Sequence, residues 1–187
     1  MHPNTMTLYR VAASPILILL IYFPNRVTLL MAAFVFSAAA ITDFLDGYLA
    51  RRWNLVSTFG KMLDPLADKL LMSSAFIMMV YHQWVPAWII CLILGRELAV
   101  TGLRNLMADK GADISASVLG KYKTGFQIAA IIPLLIHYPY FGIRFHAIGN
   151  LVLWVALVFT LWSGADYFIR FSKMYGDNFF GVDTQSE

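Results

Sequence analysis

Residues 43–68 read DFLDGYLARRWNLVSTFGKMLDPLAD and contain four aspartates in two pairs. Asp43 and Asp46 form the first pair, and Asp64 and Asp68 form the second. Because an α-helix turns about 100° per residue, the members of each pair fall on one helix face. Carboxylates beside apolar spans are costly and usually mark function, so this stretch is the candidate site. Small residues share the two faces: Gly47 and Ala50 with the first pair, Gly60 with the second.

The two aspartate pairs are expected to meet. The connection 51–59 is short, which predicts that the helices before and after it are antiparallel neighbours. With a rise of ~1.5 Å per residue, Asp68 lies only ~12 Å from a helix start at Gly60, and Asp43 is similarly close to the end of its helix. The four carboxylates are therefore predicted to converge at one depth, just inside one membrane interface.

Four converging carboxylates would repel one another unless cations compensate their charge. Hard divalent ions such as Mg²⁺ or Mn²⁺ prefer oxygen ligands, and two carboxylate-bridged ions are a recurring arrangement in phosphoryl chemistry. We therefore predict two Mg²⁺ or Mn²⁺ ions, with Arg51 as a fixed positive charge for a diphosphate. The alternative for single aspartates is an interfacial ion pair, Asp46 with Arg51 or Asp64 with Lys61.

Composition predicts an all-α, polytopic membrane protein. The chain has 187 residues, of which 59% are hydrophobic and 13% are charged, which is too apolar for a soluble domain of this size. Apolar runs recur near the length that a bilayer requires, and residues 1–187 show no linker or repeat, so one transmembrane domain is expected. Six transmembrane helices are predicted, roughly at 6–23, 27–50, 60–81, 86–107, 118–137 and 146–170.

The distribution of basic residues predicts the orientation. Of the 14 Lys and Arg residues, only Arg26 and Arg144 fall in external loops when the N-terminus is inside. This asymmetry satisfies the positive-inside rule, and an even number of spans then places both termini in the cytoplasm. The short loops offer no platform for nucleic acid. Tyr81, Trp84, Trp88, Tyr138 and Tyr140 are predicted to form an outer aromatic belt, with His82, His137 and His146 on the same side.

The aspartate stretch resembles the signature of the CDP-alcohol phosphatidyltransferases, D-x2-D-G-x2-A-R-x8-G-x3-D-x3-D. All eight positions match: Asp43, Asp46, Gly47, Ala50, Arg51, Gly60, Asp64 and Asp68. The resemblance implies a homodimer of six-helix subunits with its site open to the cytoplasm. It also implies transfer of a phosphatidyl group from a CDP-lipid to an alcohol, with release of CMP. Asp68 is then the candidate general base as well as a metal ligand.

Further motifs are similar to the bacterial phosphatidylglycerophosphate synthases within that family. They are Asn4-x2-Thr7-x2-Arg10, Gly95-Arg96-Glu97, Thr101-Gly102-Leu103-Arg104 and Gly120-Lys121-x-Lys123-Thr124. The resemblance implies CDP-diacylglycerol and sn-glycerol 3-phosphate as substrates, membrane lipids as surroundings, and a bacterial inner (plasma) membrane location. Its expected CDP-lipid-binding residues are Asn4, Thr7, Gly47, Ala50, Arg51 and Gly60.

Basic residues are the candidates for the acceptor phosphate. Arg96 lies within the fourth span, where an unpaired arginine would cost at least ~2.5 kcal/mol, so it should face a polar cavity. We predict that Arg96, Arg104, Lys121 and Lys123 together bind the phosphate. An internal ion pair with Glu97 is the alternative for Arg96, and inner-leaflet anchoring is the alternative for Lys123.

Other functions remain open from the sequence. Within the family, the acceptor could be inositol phosphate, serine or phosphatidylglycerol. From a different class, a cation transporter could also carry a carboxylate site, but transporters usually bind ions near the midplane between repeated halves. Asp166 and Arg170, four residues apart, are predicted to be a structural helix pair.

Overall fold

The computed structural model describes residues 3–53, 58–109 and 118–179, with side chains for 9–42, 67, 69–105, 120 and 122–172. Within these ranges the chain forms six α-helices and no strand, apart from an isolated bridge between Tyr140 and Ile143. The helices are α1 (Pro3–Tyr22), α2 (Arg26–Trp53), α3 (Thr58–Tyr81), α4 (Ala87–Asp109), α5 (Val118–Ile136) and α6 (Phe145–Phe179). The predicted all-α class is confirmed.

The helix ends lie close to the predicted ones, except that α6 continues to Phe179 rather than ending near residue 170. Its segment Phe145–Ser172 is, by length and composition, the one described segment that could cross a membrane outright. Four shorter apolar segments occur in the described residues: Tyr9–Tyr22, Arg26–Thr42, Lys69–Tyr81 and Tyr122–Ile136. Charged residues interrupt α4 at Arg96 and Glu97, and they belong to the site described below.

The helices pack in an order that differs from their order in the sequence. Among the described residues, α1 packs on both α2 and α3, whereas α5 packs on α2 and α6, and α4 packs on α6 and α3. In the described residues the neighbours of α2 are α1 and α5. The predicted packing of α2 on α3 around the aspartate motif lies outside the described side chains. The apolar core between the helices is built around Leu17, Phe36, Phe76, Ile93, Ile131 and Leu134, all fully buried.

Tight turns join the helices at one end of the bundle. Asn25 caps α2, because its Oδ1 accepts hydrogen bonds from the backbone N–H groups of Val27 and Thr28, both at 2.9 Å. Phe141 and Gly142 both have positive φ, 53° and 77°, as a type I′ turn requires. They lie between the paired residues Tyr140 and Ile143.

Aromatic and histidine side chains tie these turns together. The His82 ring stacks on Trp84 with centroids 5.0 Å apart, and Trp84 stacks on His137 at 4.3 Å. His82 Nε2 lies 2.8 Å from the Ile21 carbonyl oxygen, and His146 Nε2 lies 3.0 Å from that of Trp84. The ends of α1, α3 and α5 and the start of α6 are thus at the same end of the bundle.

Candidate active site

The four aspartates lie on two unbroken helices. Asp43 and Asp46 are within α2, and Asp64 and Asp68 are within α3, so the helical spacing assumed for each pair is observed. Their side chains are outside the described residues, as are those of Asn4, Thr7, Ala50, Arg51 and Lys121. Convergence of the carboxylates therefore remains a prediction. Their oxygen-only donor set fits a hard divalent cation such as Mg²⁺ or Mn²⁺.

A cluster of polar side chains, here called the polar cluster, fills the space between α3, α4, α5 and α6. Glu97 on α4 joins two of its cations: Arg96 Nη1 lies 3.3 Å from Glu97 Oε1, and Lys123 Nζ forms an ion pair with the same oxygen. The side chains of Arg96 and Lys123 are only 9% and 7% exposed. Desolvated charges of this kind persist only when they are paired and hydrogen-bonded. The cluster consists of Lys69, Arg96, Glu97, Thr101, Arg104, Lys123, Ser163 and Tyr167.

Arg96 also reaches the last helix. Its Nη2 donates a hydrogen bond to the Ser163 hydroxyl on α6, where Ser163 is fully buried. The next residue, Gly164, leaves room for the arginine, because a Cβ at that position would lie 2.9 Å from Arg96 Cγ. Arg96 Nε is buried and has no hydrogen-bond partner among the described residues. The guanidinium is therefore held through both of its terminal nitrogens.

Arg104 makes an equivalent contact one turn along α6. Its Nη2 donates a 2.7 Å hydrogen bond to the Tyr167 hydroxyl, and its guanidinium carbon lies 5.5 Å from the centre of the same ring. Tyr167 is 3% exposed, so the phenol is a fixed support, whereas Arg104 itself is exposed. Among the described side chains, two cations share the Glu97 carboxylate and Arg104 contacts a neutral phenol, so this part of the polar cluster carries net positive charge that attracts an anion.

Lys69 connects the polar cluster to the helix that carries the second aspartate pair. Its Nζ donates to Thr101 Oγ1, and that hydroxyl donates in turn to the Glu97 carbonyl oxygen at 2.7 Å. Lys69 directly follows Asp68 on α3. The backbone of α3 at Asp68 is therefore beside the α4 face that presents the basic residues.

The structure brings together some of the predicted acceptor residues. Arg96 and Lys123 share Glu97, so the internal ion pair considered for Arg96 is present. Lys123 is buried, and anchoring in the inner leaflet does not describe it. The predicted helix pair is confirmed, with Arg170 Nε 3.0 Å from Asp166 Oδ2.

Sequence reasoning gave no role to Lys69, Ser163 and Tyr167, and it named Thr101 only as part of a motif. The available signal was the spacing of Ser163 and Tyr167, which are four residues apart and so place two hydroxyls on one face of α6. Serine hydroxyls are common inside membrane helices, where they often bond the backbone of their own helix. Only their partners on α4 distinguish these two, and those partners are set by the packing of α4 on α6.

A family model for CDP-alcohol phosphatidyltransferases matches residues 1–162, which is most of the chain. The helices α2 and α3, which carry the four aspartates, lie within this range, as do α4 and the first part of α6. The chain therefore belongs to the CDP-alcohol phosphatidyltransferase family.

Relatives from three bacterial groups agree in name. A Bacillus subtilis (strain 168) protein is 44% identical over 180 residues, covering 90% of this chain and 93% of the relative. A Rickettsia bellii protein is 39% identical, covering 92% and 96%, and one from Shigella flexneri serotype 5b is 37% identical, covering 88% and 91%. Each is named CDP-diacylglycerol–glycerol-3-phosphate 3-phosphatidyltransferase.

Proposed function

We propose that this protein transfers the phosphatidyl group of CDP-diacylglycerol to sn-glycerol 3-phosphate, giving phosphatidylglycerophosphate and CMP. The observation that carries the choice of acceptor is the polar cluster beside Asp68, in which Arg96 and Lys123 share one carboxylate. A phosphate-bearing alcohol would complete its charge. The common name of the relatives supports the same acceptor.

The proposed chemistry is a direct displacement. Asp68 accepts the proton of the attacking glycerol hydroxyl as general base. The hydroxyl oxygen bonds to the β-phosphorus of the CDP-lipid while the bond from that phosphorus to the bridging oxygen breaks, and CMP leaves with the electron pair. The acyl chains stay among the apolar helices. Gly47, Ala50, Arg51 and Gly60, with Asn4 and Thr7, would bind the CDP-lipid.

Divalent cations fit this scheme. Asp43, Asp46, Asp64 and Asp68 are the residues that would hold two Mg²⁺ or Mn²⁺ ions, which when bound neutralise charge on the diphosphate. Basic side chains would act at the other substrate. Arg96, Arg104 and Lys123, with Lys121, would bind and orient the acceptor phosphate by charge-assisted hydrogen bonds. Separate sites allow a nucleophile and an anionic lipid to approach despite their like charges.

The proposed setting is a bacterial inner membrane. We infer six transmembrane helices, both termini in the cytoplasm, a cytoplasm-facing site and a homodimer. The positive-inside distribution of Lys and Arg supports the orientation. The apolar, exposed outer faces of the helices, such as Phe34, Leu98 and Leu151, suit a lipid environment.

A headgroup assay tests the function. Purified protein in detergent is given CDP-diacylglycerol, Mg²⁺ and one acceptor at a time: glycerol 3-phosphate, glycerol, serine, inositol phosphate or phosphatidylglycerol. We expect CMP release and a new anionic lipid with glycerol 3-phosphate, and little product with the others. Preference for another alcohol would refute the acceptor. Absence of CMP with every acceptor would refute the transferase assignment.

A further inference from the structure

One face of α6 carries residues that contact both arginines of α4. Ser163 and Tyr167 are one helical turn apart, and each accepts a hydrogen bond from a guanidinium, of Arg96 and Arg104 respectively. Gly164 lies between them, against the aliphatic part of Arg96. These three residues follow the last residue matched by the family model, residue 162, and we refer to them as the α6 face.

The contacts of the α6 face restrict how the guanidinium groups are directed. Glu97 and Ser163 occupy the two terminal nitrogens of Arg96, which leaves the buried Nε without a partner among the described residues. Tyr167 supports Arg104 in two ways: its hydroxyl accepts a hydrogen bond from Nη2, and the guanidinium lies over its ring. An arginine has several rotatable bonds, and fixing it before a ligand binds removes an entropic cost from binding.

We propose that the α6 face positions Arg96 and Arg104 for the phosphate of the acceptor alcohol, and so sets the affinity for a phosphorylated acceptor without touching the CDP-lipid. This inference rests on the proposed function. Ser163, Gly164 and Tyr167 act through the arginines and are positioning residues. The ligand class is an alcohol that bears a phosphate monoester.

The proposal predicts effects confined to one substrate. Tyr167→Phe removes the hydroxyl but keeps the ring beneath Arg104, and Ser163→Ala removes the acceptor for Arg96. Loss of one such hydrogen bond should raise the KM for glycerol 3-phosphate by about 3–10-fold. The KM for CDP-diacylglycerol and the kcat at saturating acceptor should change by less than about twofold, and we count a change of that size as no effect.

Gly164→Ala tests the same face sterically. Its Cβ would meet Arg96 Cγ at 2.9 Å, near the root of the side chain, so Arg96 must leave its rotamer and the KM for glycerol 3-phosphate should rise. Gly125→Ala is the matched control, because nothing lies within 4 Å of a Cβ there. Tyr81→Phe is the control for Tyr167→Phe, since Tyr81 belongs to the aromatic group at the opposite end of the bundle.

A double-mutant cycle separates positioning from simple stability. If Tyr167 acts through Arg104, Tyr167→Phe should add nothing to the KM effect of Arg104→Ala. Where a variant turns over too slowly, calorimetric binding of glycerol 3-phosphate to the purified protein provides the same cycle. Additive effects, or equal rises in both KM values with a lower melting temperature, would indicate a structural role and overturn the proposal.

The possible failures are distinguishable. If Arg104→Ala raises the KM for glycerol 3-phosphate but Tyr167→Phe, Ser163→Ala and Gly164→Ala do not, the α6 proposal is wrong and the acceptor assignment stands. If the wild-type protein does not use glycerol 3-phosphate at all, the proposed function fails, and the α6 proposal fails with it.

Discussion

The chemistry proposed here depends on individual carboxylates, and the first test is at the metal ligands. Substituting Asp43, Asp46 or Asp64 with Asn removes one of the two carboxylate charges in its own pair. Each substitution should therefore weaken metal binding and turnover together. Activity of the wild type should disappear with a chelator and return with Mg²⁺ or Mn²⁺. Metal titration of turnover measures both effects. Full activity in one of these variants would exclude that residue as an essential ligand.

Asp68 is predicted to differ from the other three aspartates. Asp68→Asn should lower kcat by about 10²–10⁴-fold, the usual contribution of a general base, while binding of CDP-diacylglycerol is reduced less. Single-turnover rates at saturating metal and substrates, together with a lipid-binding assay, measure the two effects separately. Turnover near that of the wild type would disprove the role as base, and loss of CDP-lipid binding alone would indicate a ligand role.

Arg104 and Lys121 test the acceptor site. Because each is expected to donate a charge-assisted hydrogen bond to phosphate, worth about 1.5–3 kcal/mol, Arg104→Ala or Lys121→Ala should raise the KM for glycerol 3-phosphate about 10–100-fold. The KM for CDP-diacylglycerol should change little. A two-substrate kinetic matrix checks this. Normal acceptor kinetics in both variants would remove these residues from the site.

At the scale of helices, α5 and α6 approach closely, and Gln127 Nε2 on α5 donates a 3.2 Å hydrogen bond to Thr160 Oγ1 on α6. Gly149 on α6 makes that approach possible, because a Cβ there would lie 2.8 Å from the Leu134 backbone nitrogen. Gly149→Ala should therefore force the helices apart. Overpacking of this kind costs about 1–3 kcal/mol, which exceeds the gain in helix propensity of up to about 1 kcal/mol.

Thermal unfolding in detergent measures this effect. We expect a lower melting temperature for Gly149→Ala and an unchanged or higher one for Gly125→Ala, which faces open space on α5. Equal melting temperatures would show that the α5–α6 contact adjusts without cost.

At the scale of the whole molecule, the prediction concerns sidedness. Phe141 is fully exposed in the turn between α5 and α6 and should face the outside. Ser172 lies toward the other end of α6 and should face the cytoplasm. After Cys91→Ala removes the native cysteine, Phe141→Cys should react with a membrane-impermeant maleimide in intact cells. Ser172→Cys should react only after the membrane is permeabilised. The reverse pattern would invert the topology and place the site outside.

Local sequence determined the helices, their turns and the spacing of the aspartates. Apolar runs and breaks such as Pro24-Asn25 are features of contiguous sequence, so the predicted helix limits agree with the structure except at the end of α6. The motif at 43–68 is local for the same reason, and it was sufficient to indicate the family and a divalent cation site. Identification of Arg96 as a residue facing a polar site was local too, since a charge within an apolar span has few other solutions.

Tertiary structure alone decided which helices are neighbours and which uncharged residues serve the site. The packing of α1 on both α2 and α3 depends on how side chains interlock over long sequence distances, which no local pattern in the sequence indicates. Ser163 and Tyr167 resemble ordinary residues of a membrane helix until α4 is placed beside α6. Hydrogen bonds between residues more than sixty positions apart leave no periodic trace in a single chain, so only the packed bundle identifies them.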